Sequence, residues 1–224
     1  MIMKKVLVIA PHPDDETLGC GGTLLKHIAN EDEVSWLIVT GMHSNLGHTD
    51  EQIDRREREI EKVKTMYGFN NVFNLKLPTT NLDTIPMQSI VAQIGTVINQ
   101  LEPEIMYLPY RGDVHTDHKV VFDAVVSCSK WFRYSSVKKV LAYETLSETD
   151  FGINPDNNGF RPNVFSDITP YLEKKLDILN VFQSEMGEFP FPRSNQAVQA
   201  QARVRGVAAG CESAEAFMLL KEIL

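Results

Sequence analysis

The chain has 224 residues, 43% hydrophobic and 23% charged, an ordinary globular composition with length for one domain and a sizeable core. Its formal net charge is -8, and no dense basic run is present to neutralise phosphates, which argues against a nucleic-acid partner; the cluster Arg55-Arg56-Glu57-Arg58-Glu59 mixes both signs and reads as a solvated helix face. Three scattered cysteines, Cys20, Cys128 and Cys211, exclude a disulfide framework or a CxxC zinc site, and no apolar stretch nears the roughly 20 residues that span a bilayer. The opening Met-Ile-Met-Lys-Lys leads straight into a strand-like run, without the apolar segment and small-residue cleavage site of a secretory signal. A cytoplasmic location with no membrane partner is the expectation.

In chain order, residues 4–10 read as a buried strand, because Val6, Leu7, Val8 and Ile9 run without polar interruption. Residues 18–29 have helical spacing, 34–40 form a second strand, and 51–67 form a charged amphipathic helix stopped by Gly68. A third strand spans 72–77, a third helix 87–101, a fourth strand 105–108, a fourth helix 117–131 and a fifth strand 137–143. This alternation predicts an α/β, Rossmann-like parallel sheet of order 3-2-1-4-5 with helices on both faces. Beyond residue 145 the pattern changes. Residues 146–163 carry Gly152, Pro155, Asn157, Asn158, Gly159 and Pro162 and read as a long loop of the kind that serves function. Thr169-Pro170 reads as an N-cap followed by proline at the first helical position, opening a helix to about Phe182. A loop over 187–194 follows, then helical stretches over 195–208 and 213–223. With no repeat and no low-complexity linker, the expectation is a single domain over 1–224: a core over 1–145, then pocket loops and a C-terminal helical extension over 146–224.

Two short motifs carry the chemistry. Pro11-His12-Pro13-Asp14-Asp15-Glu16 follows the first strand, and His115-Thr116-Asp117-His118 follows the fourth. In an open α/β sheet ligands bind beyond the carboxyl ends of the strands, where the strand order reverses. In the order 3-2-1-4-5 strands one and four are neighbours at that point, so both motifs fall in one crevice. Three carboxylates there would repel a phosphate, and Gly19, Gly21 and Gly22 do not spell GxGxxG, which argues against a dinucleotide site. Carboxylates with several imidazoles favour a cation, and zinc suits that donor set, although such sites also take other divalent ions. A lone His beside an Asp on a loop is usually a surface pair; two such motifs at neighbouring strand ends shift the balance toward a metal site. His27 reads as a helix-surface residue, and His43 and His48, in the loop after the second strand, lie outside the pattern.

The runs Ala10-Pro11-His12-Pro13-Asp14-Asp15-Glu16 and His115-Thr116-Asp117-His118 resemble the signatures of the LmbE-like, or PIG-L, N-acetylglucosaminyl deacetylases. Arg56 matches an arginine on that family's second helix, and Arg205-Gly206 with Ala214-Glu215-Ala216-Phe217 resembles its bacterial thiol-biosynthesis branch. The resemblance implies zinc-dependent hydrolysis of an N-acetyl group on a small-molecule amino-sugar conjugate. It implies His12, Asp15 and His118 as zinc ligands, Asp14 as general base, and His115 as oxyanion stabiliser or general acid. Asp117 would orient His115 and raise its pKa, and Arg56 would contact substrate. The chain departs from the pattern in three places. Asp113 stands where some members have a tyrosine that binds the oxyanion, which makes it a candidate substrate contact. Thr79 follows Pro78 where Asp is usual, and Ser184-Glu185 replaces Ser-Gln. All three are expected at the pocket, where they bear on substrate choice. Alternatives are an amidase for a larger acyl group and a non-catalytic sugar-binding relative. A homo-oligomer is compatible with the sequence.

Overall fold

The computed structural model describes residues 3–153 and 159–224. Seven strands form one sheet: β1 (Lys5–Ala10), β2 (Glu33–Gly41), β3 (Asn71–Pro78), β4 (Ile105–Pro109), β5 (Lys139–Tyr143), β6 (Val164–Asp167) and β7 (Ala214–Glu222). The helices are α1 (Asp15–Ala29), α2 (Asp50–Tyr67), α3 (Met87–Leu101), α4 (Thr116–Ser127), α5 (Leu172–Leu179) and α6 (Asn195–Ala209). Spatial order is β3-β2-β1-β4-β5-β7-β6, parallel through β5. The five-stranded order expected from sequence therefore holds, because each helical crossover returns the chain parallel to its neighbour.

Alternate residues of the central strands feed two cores. Val6, Val8, Trp36, Ile38 and Tyr107 pack under α1, α2 and the segment after α5, which supplies Val181 and Phe182. Leu7, Ile9, Leu37, Val39 and Leu108 pack under α3 and α4. Burial on both faces explains why β1 over Val6–Ala10 and β2 over Trp36–Val39 are unbroken apolar runs. Phe217 of β7 lies in the first of these cores, so the C-terminal part shares it with the parallel sheet.

That C-terminal part departs from expectation. Residues 213–223 are not a helix: β7 pairs antiparallel with β5 on one side and β6 on the other. Its Ala, Glu, Met and Leu are good helix formers, but Ala214, Ala216 and Phe217 are fully buried in a sheet that β5 would otherwise leave open. The strand β6 closes the long loop at its far end, while residues 154–158 of that loop, including Pro155, Asn157 and Asn158, lie outside the described residues. Thr169 does not cap a helix; it opens a 3₁₀ turn (Thr169–Tyr171), its hydroxyl donating to Asp167, and α5 ends at Leu179. The glycines after the first motif serve packing rather than a phosphate. A Cβ on Gly19 would collide with the ring of Tyr143, whose hydroxyl donates to the Ile9 carbonyl (2.9 Å).

Candidate active site

Neighbouring β1 and β4 deliver both motifs to one cleft of about 660 Å³. His12, Pro13 and Asp14 form the turn leaving β1, and Asp15 opens α1. His115 precedes α4 and caps it: its Nδ1 accepts the backbone N–H of Asp117 at 3.1 Å. His118 lies one turn further along, fully buried. A smaller cavity of about 350 Å³ at the opposite ends of the strands, lined by Lys4, Lys26, His27 and Lys138 among others, contains none of the motif residues.

His12, Asp15 and His118 each offer a ligand atom within 4.8 Å of the others. His12 Nδ1 stands 3.3 Å and His118 Nε2 3.2 Å from Asp15 Oδ2. Tetrahedral ligands about 2.0–2.1 Å from a zinc ion lie about 3.3 Å apart, so these separations suit one shared cation. His118 Nε2 is buried without a hydrogen-bond partner despite its nearness to Asp15, as befits a donor atom aimed at a metal rather than at the carboxylate. Its other nitrogen, Nδ1, is held by Asp113 Oδ2 at 2.7 Å, which fixes the tautomer. A second set, His12, His115 and Asp117, also clusters. There His115 Nδ1 is occupied, and the Asp117 carboxylate already accepts the backbone N–H groups of Thr80 (2.7 Å) and Leu82 (3.3 Å). Asp15 Oδ2 in the first set also accepts a backbone N–H, that of His12 (2.9 Å), but among the described residues only the first set holds a buried ring nitrogen without a partner, His118 Nε2.

The electrostatics favour positive charge at this point. Burial alone would lower the pKa of His12, but hydrogen bonds to Asp117 and Asp15 raise it to about 9. Burial also opposes charge on His118, and the Asp15 and Asp113 carboxylates outweigh it, pushing its pKa well up. Asp15 is held well below the usual carboxylate range: burial pulls the other way, and His118 and His12 prevail. Asp14, nearly buried on the cleft wall, is raised to about 7 by burial, then by Asp15 and Glu185, against the pull of Arg193 and Arg56.

Several residues are placed otherwise than expected. Asp117 does not orient His115 through its carboxylate, which lies on His12 Nε2 (3.1 Å); only its backbone N–H reaches His115. Nor is the His115 pKa raised: burial first, then His12 and His118, lower it to about 4, outweighing Asp117. Asp113 is not on the cleft wall but buried behind His118, its second oxygen accepting from Thr149 Oγ1 (2.6 Å). Arg56 borders the cleft, yet its guanidinium is committed to the Pro13 carbonyl (2.9 Å), to Glu59 (3.2 Å) and to Glu185. His27 is half-buried between Asp32 and Tyr107 rather than an open surface residue. Thr79 and Glu185 line the cleft, as do His43 and His48. Arg193 was not singled out by sequence; it comes from the 187–194 loop to within 3.3 Å of Asp14 and 3.4 Å of Glu185. An Arg beside two prolines in a loop carries no motif, so only the fold reveals it.

The family model described as PIG-L, GlcNAc-PI de-N-acetylase, matches residues 7–129, more than half the chain and both motifs. The chain belongs to the PIG-L family. Among PIG-L relatives, a diacetylchitobiose deacetylase of Thermococcus kodakarensis is 28% identical over 83% of this chain and 72% of its own length. The N,N'-diacetylchitobiose deacetylase structure from Pyrococcus horikoshii, in complex with an inhibitor, superposes with a TM-score of 0.78 at 22% identity, covering 98% of this chain and 85% of that one. A 4-carboxy-2-hydroxymuconate hydratase from Pseudomonas putida superposes with a TM-score of 0.77 at 17% identity, covering 99% of this chain and 98% of that one. Likeness at that level shows a shared fold, and the fold carries more than one chemistry. The reaction of this PIG-L chain therefore follows from the groups in its cleft.

Proposed function

We propose that the protein is a metal-dependent hydrolase that removes the N-acetyl group from an N-acetylglucosamine-type conjugate, giving acetate and a free amine. The observation that carries this reading is a carboxylate, Asp14, and an imidazole, His115, left over beside a three-ligand cluster on one cleft wall. His12, Asp15 and His118 would hold the cation, for which zinc suits the donors; it would supply Lewis-acid activation of water and of the amide carbonyl.

The chain's own groups supply proton transfer and orientation. Asp14 accepts the proton of the attacking water and returns it to the departing nitrogen. His115 works as a neutral imidazole. Its Nδ1 accepts the Asp117 N–H, so its proton sits on Nε2, free to donate to the carbonyl oxygen as charge builds there. Asp117 positions both histidines, one by its N–H and one by its carboxylate. Arg56 braces the first motif through the Pro13 carbonyl.

A second reading, hydrolysis of a larger N-acyl group by the same residues, draws support from Met42, Leu46, Ile53 and Ile60, which give the cleft an apolar stretch. A panel of N-acyl glucosamine conjugates of graded acyl length, assayed for amine release, separates the two. Acetyl-selective release is the expected result. Asp14→Ala should lower turnover by about 10²–10⁴-fold while bound zinc stays stoichiometric. Undiminished turnover in that variant, or no amine release from any member of the panel, would contradict the proposal.

A further inference from the structure

Asp14 has an unusual backbone. Its φ is 134° and its ψ is -31°, a region that residues other than glycine rarely occupy. Its carbonyl is committed to the start of α1, accepting from the N–H groups of Thr17 (3.0 Å) and Leu18 (2.8 Å). Its own N–H points inward and needs an acceptor that the helix does not provide. The Glu16 carboxylate provides it. Oε2 accepts the Asp14 N–H at 3.1 Å, and Oε1 accepts the Thr17 hydroxyl at 2.6 Å. The chain of hydrogen bonds continues, since Thr17 Oγ1 accepts from the Tyr67 hydroxyl of α2 at 3.0 Å. Glu16 is fully buried and does not line the cleft, so it meets neither substrate nor metal.

We infer that Glu16 is a positioning residue: its carboxylate, anchored through Thr17 and Tyr67, fixes the strained backbone of Asp14 and so aims the Asp14 side chain into the cleft. The inference rests on Asp14 being the proton acceptor. A carboxylate at position 16 makes sense on these terms even with Asp14 and Asp15 beside it, because both of its oxygens are used as acceptors. Without it, Asp14 would keep a buried, unsatisfied N–H and have reason to relax toward an ordinary conformation, carrying its carboxylate away from the reacting water.

The test uses the zinc-loaded full chain. Glu16→Met keeps the volume and removes the acceptor. It should lower kcat about 10²-fold, as a misplaced catalytic group does, with KM and zinc stoichiometry unchanged. Glu16→Gln keeps an acceptor for the Asp14 N–H and should recover most of that loss. Thr17→Val leaves Glu16 in place but cuts its anchor, and should lower kcat several-fold; it stands in if Glu16→Met does not fold. Crystal structures add a readout independent of turnover: Asp14 should leave its positive φ in Glu16→Met, or in Thr17→Val if only that variant folds, and keep it in Glu16→Gln. A retained positive φ without the acceptor, a kcat unchanged in both Glu16→Met and Thr17→Val, or a loss confined to KM would overturn the inference. Absence of amine release by the parent chain would strike the proposed function instead, leaving the backbone comparison to decide the role of Glu16.

Discussion

His118 reaches the cluster through Nε2 because its other ring nitrogen is committed to Asp113, and Asp113 is held in turn by Thr149. Outer partners of this kind orient a ligand and raise its basicity, and their loss typically weakens a metal site 10–100-fold. Asp113→Ala should therefore weaken zinc binding by about that factor, measured by competition with a chelator of known affinity, while an altered substrate preference at full zinc affinity would return Asp113 to the substrate-contact role first expected of it. The meeting of the two motifs is legible in the sequence, because they fall at the ends of strands whose adjacency the alternation pattern already implies; the choice of His12, Asp15 and His118 as ligands comes from the family resemblance. The supporting residues were not legible. Asp113 precedes the second motif by two positions and could point either way, and Arg193 reaches Asp14 from 179 residues away.

At the scale of elements, α1 is broken at Cys20, whose backbone leaves helical geometry, and its second half starts anew there. Glu215 of β7 caps that second start, accepting from the N–H groups of Gly22 (2.8 Å) and Thr23 (2.7 Å) and from the Thr23 hydroxyl. Lys175 of α5 completes the cluster, 2.7 Å from Glu215 and 2.9 Å from the Leu18 carbonyl, and both charged side chains are buried. Removing one member of a buried pair leaves the other uncompensated, so Glu215→Ala should cost about 3–5 kcal/mol of unfolding free energy. Chemical denaturation measures it, and a loss under 1 kcal/mol would show the cluster to be incidental. This joint also helps explain why β7 is a strand although its sequence predicts a helix. Ala214–Glu222 has the composition of one, and its strand state is imposed from a distance, by the open edge of β5 and by Glu215 seated under α1. Strand β1, and β2 from Trp36 to Val39, carry their own signal in unbroken apolar runs; β7 does not.

Over the whole molecule, the parallel sheet places chemistry at one set of strand ends and stability at the other. His27, near the amino-terminal ends of the strands, is half-buried between Asp32 (2.7 Å) and the Tyr107 hydroxyl (2.9 Å). Burial lowers its pKa, and Asp32 only partly offsets this. The unfolded chain, with His27 near its ordinary value of about 6.5, then binds the proton more readily than the folded one. Its contribution to stability is intact above that value and is lost as pH falls through and below it. Between pH 7 and pH 5 the parent should therefore lose more unfolding free energy than His27→Gln does, and equal losses would contradict this. If the cleft at the other end holds a cation as proposed, that cation binds the folded arrangement alone, so zinc at about 100 times its dissociation constant should stabilise the chain by about 2.7 kcal/mol. In the proposed site both motifs close around one metal ion, with Asp14 and His115 outside its ligand set. Anomalous diffraction from a crystal of the zinc-loaded protein should show a single strong peak about 2.0–2.2 Å from a donor atom on each of His12, Asp15 and His118; a peak on His115 and Asp117 instead, or none near His118, would overturn the proposed site.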